Sequence, residues 1–142
     1  DEDKEEIRNK YKIYLADLFQ LYYKNKNSYQ DIVEQIYNLE KSLAEKTYTR
    51  VEKRDPEKNY HKMLIDELNY KYNLEWNEFF GILTNNKDIE YVIVDNPEFY
   101  SRLKDLWDSL SLNTWKNYLK IKLLRSASSY LSDDYINLKF EF

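Results

Sequence analysis

The only histidine, His61, lies between Tyr60 and Lys62 in a chain that has no cysteine. A helical zinc site of the His-Glu-x-x-His kind needs two imidazoles one turn apart, because zinc takes three or four protein ligands in tetrahedral geometry. One imidazole cannot supply that set, so His61 reads as a surface or hydrogen-bonded residue. The missing thiols also exclude thiolate zinc sites, iron–sulfur clusters, disulfides and cysteine nucleophiles. Carboxylates are plentiful, but the pairs Glu5 with Glu6 and Asp133 with Asp134 are adjacent in sequence. Neighbours at i and i+1 do not face each other on a helix, so these pairs read as solvated charge. Ser126, Ser128 and Ser129 lack the second histidine or elbow glycine that would mark a nucleophile. Trp76, Trp107 and Trp115 fall on apolar faces and read as core. Arg50, Arg54 and Asp55 belong to a stretch, Tyr48 to Tyr60, dense in donors and acceptors. A forked arginine there could fix the connection to a neighbouring lobe through carboxylates; the alternative is a solvated loop. No residue qualifies as catalytic or metal-ligating.

The composition bounds the rest. The chain has 142 residues, 42% hydrophobic and 34% charged, the mixture of a soluble globular domain. One glycine and two prolines leave no material for glycine-rich phosphate loops or for the many tight turns of a β-sandwich. With 22 Lys+Arg against 26 Asp+Glu the net charge is −4, and the signs are interleaved. No basic stripe of the kind that displaces counterions from phosphate is present, so nucleic acid is not an expected partner. Most of the 15 tyrosines recur at helical spacing and read as core rather than as a stacking platform. No apolar run is long enough to span a membrane, and the sequence opens on acidic residues without an apolar leader. Together with the absence of cysteine, this leads to the expectation of a cytoplasmic protein.

The elements that would position any site are mainly helical. Ile7, Tyr11, Tyr14, Leu15, Leu18, Phe19 and Tyr22 recur every three or four residues, which predicts a helix from about Lys4 to Lys26. Ser28 and Asp31 look like a cap for a second helix carrying Ile32, Val33, Ile36, Leu39, Leu43 and Ala44. Thr47 to Arg54 reads as a connection, and Asp55-Pro56 as a turn or helix start. A short helix is expected near Ile65 to Tyr70 and a clearer one over Leu74 to Leu83. Thr84 to Lys87 reads as a loop. Ile89 to Val94 has strand character but no evident partner, so it is either an extended connector or pairs with a segment outside this sequence. Asn96-Pro97 opens a helix with Phe99, Leu103, Leu106 and Leu110 on its stripe. A last helix is predicted over Thr114 to Leu131, with Trp115, Tyr118, Leu119, Leu123, Ala127 and Tyr130 aligned. The final residues alternate Leu138, Phe140 and Phe142 with charge, which reads as a boundary inside a longer chain. The expected fold is mainly α, a multi-helix orthogonal array with at most one short strand or extended segment near 89–94. The whole of 1–142 is expected to be a single helical domain of a larger two-lobed protein.

Several phrases occur in an order that resembles one family. Arg54-Asp-Pro-Glu-Lys-Asn-Tyr-His-Lys-Met63, with Glu67-Leu68 after it, follows the phrase Leu39-Glu40-Lys-Ser-Leu43-Ala44. Trp76 and Phe79 come next, then Tyr91-Val-Ile-Val-Asp-Asn-Pro-Glu-Phe99, then Thr114-Trp-Lys-Asn-Tyr-Leu119, then Leu124-Arg-Ser-Ala127 with Tyr130-Leu131. This succession, over roughly residues 8 to 142, is similar to the N-terminal helical part of the neprilysin family of zinc metallopeptidases, which includes endothelin-converting enzyme and bacterial endopeptidase O. His61 stands where the family usually has asparagine, and Leu64 where it usually has a Thr or Ser cap.

The resemblance implies a two-lobed enzyme. Its C-terminal lobe carries His-Glu-x-x-His, a further glutamate ligand and the substrate-binding strand. Its helical lobe caps the active site and walls a chamber that admits small peptides. Those zinc and catalytic motifs are not in this sequence, so the chain itself is expected to bind no cofactor and to be inactive, with zinc in the parent enzyme. Its expected partners are the missing catalytic lobe and the parent's small peptide substrates. The absence of cysteine looks like the bacterial soluble members. The other reading is a stand-alone helical protein–protein interaction module.

Overall fold

The computed structural model describes residues 2–85 and 88–142. Among them are seven α-helices, two 3-10 turns and a two-stranded sheet. The helices are α1 (Glu2–Tyr23), α2 (Gln30–Ala44), α3 (Ile65–Tyr72), α4 (Trp76–Thr84), α5 (Pro97–Ser109), α6 (Leu112–Ala127) and α7 (Asp133–Glu141). The strands are β1 (His61–Leu64) and β2 (Tyr91–Val94). The mainly α class is as the sequence implies. The chain divides into two compact units, Asp1–Glu40 with Leu110–Phe142, and Lys41–Ser109.

In the first unit the α1 spacing does what it predicts at its centre. Tyr14, Leu15, Leu18 and Phe19 are buried and pack with Val33 and Ile36 of α2 and Ile121 and Leu124 of α6. Each such side chain withdrawn from water contributes about 1.5–3 kcal/mol before entropy is counted. The ends of the predicted stripe differ: Ile7 and Tyr22 are exposed. The helix stops at Tyr23 because Lys24 turns left-handed, with φ of 52°.

The buried face of α6 is rotated from the predicted one. Thr114, Trp115, Asn117, Ile121 and Leu124 are buried, followed by Ser128, while Leu119, Leu123 and Tyr130 are exposed. Three of the buried positions are polar, Thr114, Asn117 and Ser128, and two of them have hydrogen-bond partners. Thr114 Oγ1 donates to Gln35 Oε1 at 3.2 Å, and Ser128 Oγ donates to the Leu124 carbonyl at 2.7 Å. Apolar periodicity alone therefore selects the wrong side of a helix that has two apolar faces. The start is set by Ser111, whose Oγ accepts from the Thr114 amide at 3.1 Å.

The terminal segment read as an alternating tail is helix α7. Ser132 precedes it, and Asp133 and Asp134 lie in its first turn, where the helix dipole favours negative charge. Phe142, just beyond it, stacks on Tyr14 with centroids 4.8 Å apart and rings 9° from parallel.

In the second unit the expectation of an unpartnered strand is corrected. β2 pairs antiparallel with β1, His61 opposite Val94 and Leu64 opposite Tyr91. The sequence hides β1 because it is four residues long and mixes a histidine, a lysine, a methionine and a leucine. Alternation still holds: His61, Met63, Val92 and Val94 face inward, and Lys62, Leu64, Tyr91 and Ile93 outward. Lys62 Nζ lies 3.8 Å from the Tyr91 ring centroid on the outer face.

Behind the sheet, Leu68, Tyr72 and Val94 form a small buried cluster, with Trp76, Phe80 and Tyr100 packed against it. Trp76 is half-buried; Trp107, expected in the core, is exposed at 51%. The α3–α4 junction is tight: Asn73 and Glu75 both take positive φ, and the Trp76 amide donates to Asn69 Oδ1 at 3.0 Å. Of the predicted loop over Thr84 to Lys87, Thr84 ends α4 and Asn85 closes it left-handed; Asn86 and Lys87 lie outside the described residues.

Asn96 is the best-tied cap in this unit. Its Oδ1 accepts from the Phe99 amide at 3.3 Å, and its Nδ2 donates to the Lys46 carbonyl at 3.0 Å. It is buried, so both bonds matter. Replacement Asn96→Ala is expected to lower the unfolding free energy by about 1–3 kcal/mol, read by urea denaturation. A change below about 0.5 kcal/mol would show that Asn96 does not hold the start of α5.

Candidate functional site

The residues singled out for chemistry do not converge. His61 opens β1, and its Nδ1 lies 3.0 Å from the Val94 carbonyl oxygen. A carbonyl only accepts, so Nδ1 carries the proton and the ring is a clip across the sheet. Glu6 pairs with Lys10 on the surface of α1, and Asp133 and Asp134 are exposed at the start of α7. Ser126 Oγ donates to the Leu123 carbonyl, while Ser129 Oγ accepts from Lys139. None of the three serines has a base beside it among the described residues. Zinc of the family kind would need three converging ligands. Among the described residues no three His, Cys, Asp or Glu side chains come together to hold a metal ion. With one imidazole and no second or third ligand beside it, the described residues do not fit that metal.

The Tyr48–Tyr60 stretch orders itself locally. Glu52, at the start of a 3-10 turn, accepts from the Thr49 amide at 2.8 Å and from Lys58 Nζ. Asp55 Oδ1 accepts from the Glu57 and Lys58 amides, which makes Asp55-Pro56 a turn rather than a helix start. Asn59 closes the loop by donating to the Glu52 and Asp55 carbonyls. Arg50 and Arg54 are exposed, and among the described residues neither forms an ion pair. The hydrogen bond from Lys58, then those from Thr49, hold the Glu52 carboxyl down at about 2, against an ordinary value of 4.5.

A polar link missed by the search for catalytic groups joins three helices of the first unit. Tyr11 of α1 donates from its hydroxyl to Glu40 Oε2 at 2.6 Å. Arg125 Nη1 of α6 donates to the Tyr11 hydroxyl oxygen at 2.8 Å, and the guanidinium sits 5.0 Å from the Tyr11 ring centroid. Glu40 Oε1 is 3.9 Å from Arg125 Nη1 and 3.8 Å from Lys122 Nζ. Burial, then the Glu40 carboxylate, push the Tyr11 phenol well above its usual range, so it stays a donor at any physiological pH. Burial, then Glu40, also raise Tyr118. This arrangement ties α1, α2 and α6 together.

Several residues of the phrases quoted from the sequence land on such holding points. Leu39 and Leu43 are buried around Glu40, Thr114 and Trp115 are buried at the start of α6, and Asn96 caps α5. A family model described as "Peptidase family M13" matches residues 1–142. The chain belongs to peptidase family M13. The likeness to the zinc metallopeptidases of the neprilysin family therefore holds.

Among curated relatives, the "Zinc metalloproteinase R519" of Acanthamoeba polyphaga mimivirus is 27% identical over 103 residues, covering 71% of this chain and 16% of that protein. Among solved structures, the Mycobacterium tuberculosis zinc metalloprotease Zmp1 in its open state matches with a TM-score of 0.91 at 23% identity. It covers 99% of this chain and 22% of the Zmp1 chain. The same protease in complex with an inhibitor gives 0.92 over all of this chain, again at 23% identity and 22% of that chain. This M13 chain thus spans about a fifth of the length of these relatives, and its fold is similar to that of the matching part of Zmp1.

Two outcomes are expected for the M13 chain. Tyr11→Phe costs about 1 kcal/mol by chemical denaturation, and the cycle with Arg125→Met shows a coupling of at least about 0.5 kcal/mol. Additive effects would mean the link is decorative. Separately, the Glu52 carboxyl titrates by NMR near 2. Because its folded value is depressed, its contribution is complete above about 4.5 and is lost as pH falls through about 2. Titration near 4.5 would place Glu52 free in solvent.

Proposed function

We propose that the chain is the non-catalytic N-terminal helical part of a larger two-lobed zinc metalloendopeptidase that cleaves small peptides, and that it caps the active site and walls the substrate chamber. The observation that carries this reading is the match to family M13 over all 142 residues, with relatives named zinc metalloproteases. On this reading zinc and the catalytic groups belong to the parent protein's other lobe, and the helical part contributes shape.

Exposed apolar faces support a role against further polypeptide. On α6, Leu112, Leu119 and Leu123 are each more than half exposed, and so are Ile82 and Leu83 on α4, beside Phe79. Apolar patches of this kind on a soluble surface mark contact sites. The same faces favour the second reading, a stand-alone interaction module, in which an independent partner covers them. Among the described residues no helix is long and apolar enough to cross a membrane.

Two measurements test the reading. The purified chain is expected to hold no stoichiometric zinc by elemental analysis and to cleave no peptide; either activity sinks the assignment. The double change Leu119→Asp with Leu123→Asp is expected to be nearly neutral in the isolated chain, within about 0.5 kcal/mol. In the parent enzyme it is expected to cost about 2 kcal/mol or more, because there it would put carboxylates against a packed neighbour. Equal, small effects in both would favour the free-standing module.

A further inference from the structure

In a chain of net charge −4, one concavity runs against the overall sign. Lys122, Arg125 and Ser126 of α6 face Lys139 of α7 across a cavity of about 420 Å³, walled by Tyr14 and Phe142. The three cations come from two helices of the same unit, and their positions are fixed by separate contacts. Arg125 is anchored by its hydrogen bond to the Tyr11 hydroxyl and by the Tyr11 ring. Lys139 Nζ donates to Ser129 Oγ at 2.7 Å, which draws its stem across the gap. Lys122 is held over the Tyr118 ring, 5.8 Å from the centroid.

The charge does not balance inside the cavity. The carboxylate that approaches these cations is Glu40, at 3.8 Å from Lys122 and 3.9 Å from Arg125. Its other oxygen is already taken by the Tyr11 hydroxyl at 2.6 Å. Two of the three positive groups therefore share a carboxylate that makes its shorter bond elsewhere, and Lys139 bonds to the neutral Ser129 hydroxyl. Arg125 uses one of its five N–H donors on Tyr11, and an ammonium has three donors to place. The remaining donors of Lys122, Arg125 and Lys139 are available to the cavity that these three residues line.

We propose that this cavity is a binding site for a small oxyanion, a phosphate or a carboxylate, held by Lys122, Arg125 and Lys139. Forked guanidinium and paired ammonium groups suit the tetrahedral or planar oxygens of such an anion, and charge-assisted bonds are the stronger kind. The stacked Tyr14 and Phe142 rings give the anion a wall that lowers the local dielectric and lengthens the reach of the charges. The site is distinct from anything the family assignment requires, since it involves no zinc and no peptide bond.

The test uses inorganic phosphate as the probe, titrated into the chain by NMR at an ionic strength held constant with chloride. Saturable shifts are expected at the backbone amides of residues 122–126 and 139. The double variant Lys122→Gln with Lys139→Gln should weaken binding roughly tenfold or more, with circular dichroism and melting unchanged. Lys62→Gln, a cation outside the cavity, should leave binding as it was. Acetate replacing phosphate separates the two sources: a comparable affinity assigns a carboxylate-type ligand, a much weaker one a phosphate. No saturable shift with either anion, or equal binding by the double variant, overturns the proposal.

Discussion

Everything in this fold depends on ending helices without glycine. Seven α-helices among the described residues share a chain with a single glycine, Gly81, and that glycine lies inside α4. The left-handed turns that glycine makes without strain are made by Lys24, Asn73, Glu75 and Asn85. Two of these are asparagines, which tolerate that conformation best; Lys24 and Glu75 carry a real cost. Side-chain bonds to backbone amides hold the junction beside Glu75 and the starts of other helices and turns. Asn69 takes the Trp76 amide, Glu67 reaches back to the Leu64 amide at 2.9 Å, and Ser111, Asn96 and Asp55 each accept amide protons at the start of a helix or turn. Leu64 stands where the family usually places a hydroxyl cap. Glu67 meets that lack with the half of the capping arrangement that comes from the third helical position.

Much of the helical order was legible because apolar periodicity marks α1, α2, α4 and α5, and Asn96 caps α5 as Asn96-Pro97 implies. Three things were not. β1 is too short and too polar at alternate positions to stand out, and its identity depends on β2, which comes 27 residues after its last residue. α7 carries a good start signal in Ser132, Asp133 and Asp134, but the alternation of Leu138, Phe140 and Phe142 imitates a strand. α6 has leucines on two faces, and which face is buried was decided by Thr114, Asn117 and Ser128, polar residues that hydrophobicity counts pass over. In each case a tertiary partner, absent from any local window, made the choice.

The candidate chemistry was legible mostly as exclusion, and the reason is instructive. His61, Ser126 and Ser128 each bond a backbone carbonyl, Ser129 accepts from Lys139, and the paired acids stay at the surface. The phrases that carry the family resemblance supply bonds as well. Glu40 lies beside Leu39 and Leu43 in one phrase, Arg125 in another, and they meet at the Tyr11 hydroxyl. A tyrosine 29 residues from Glu40 and 114 from Arg125 cannot be assigned to either from spacing. The M13 signal in this chain is a record of packing requirements, which is why it could name a family without naming an active site.

The first unit is assembled from Asp1–Glu40 and Leu110–Phe142, while the second is the uninterrupted stretch Lys41–Ser109. A ribosome delivers these pieces in order. The inner unit has all of its own residues once Ser109 has emerged. Leu15, Leu18 and Phe19 must wait through that whole interval for Ile121 and Leu124, the side chains that finish covering them. Nascent α1 and α2 thus lack that cover until Leu124 has been made, and a pause in translation between Lys41 and Ser109 prolongs the exposure of that pair.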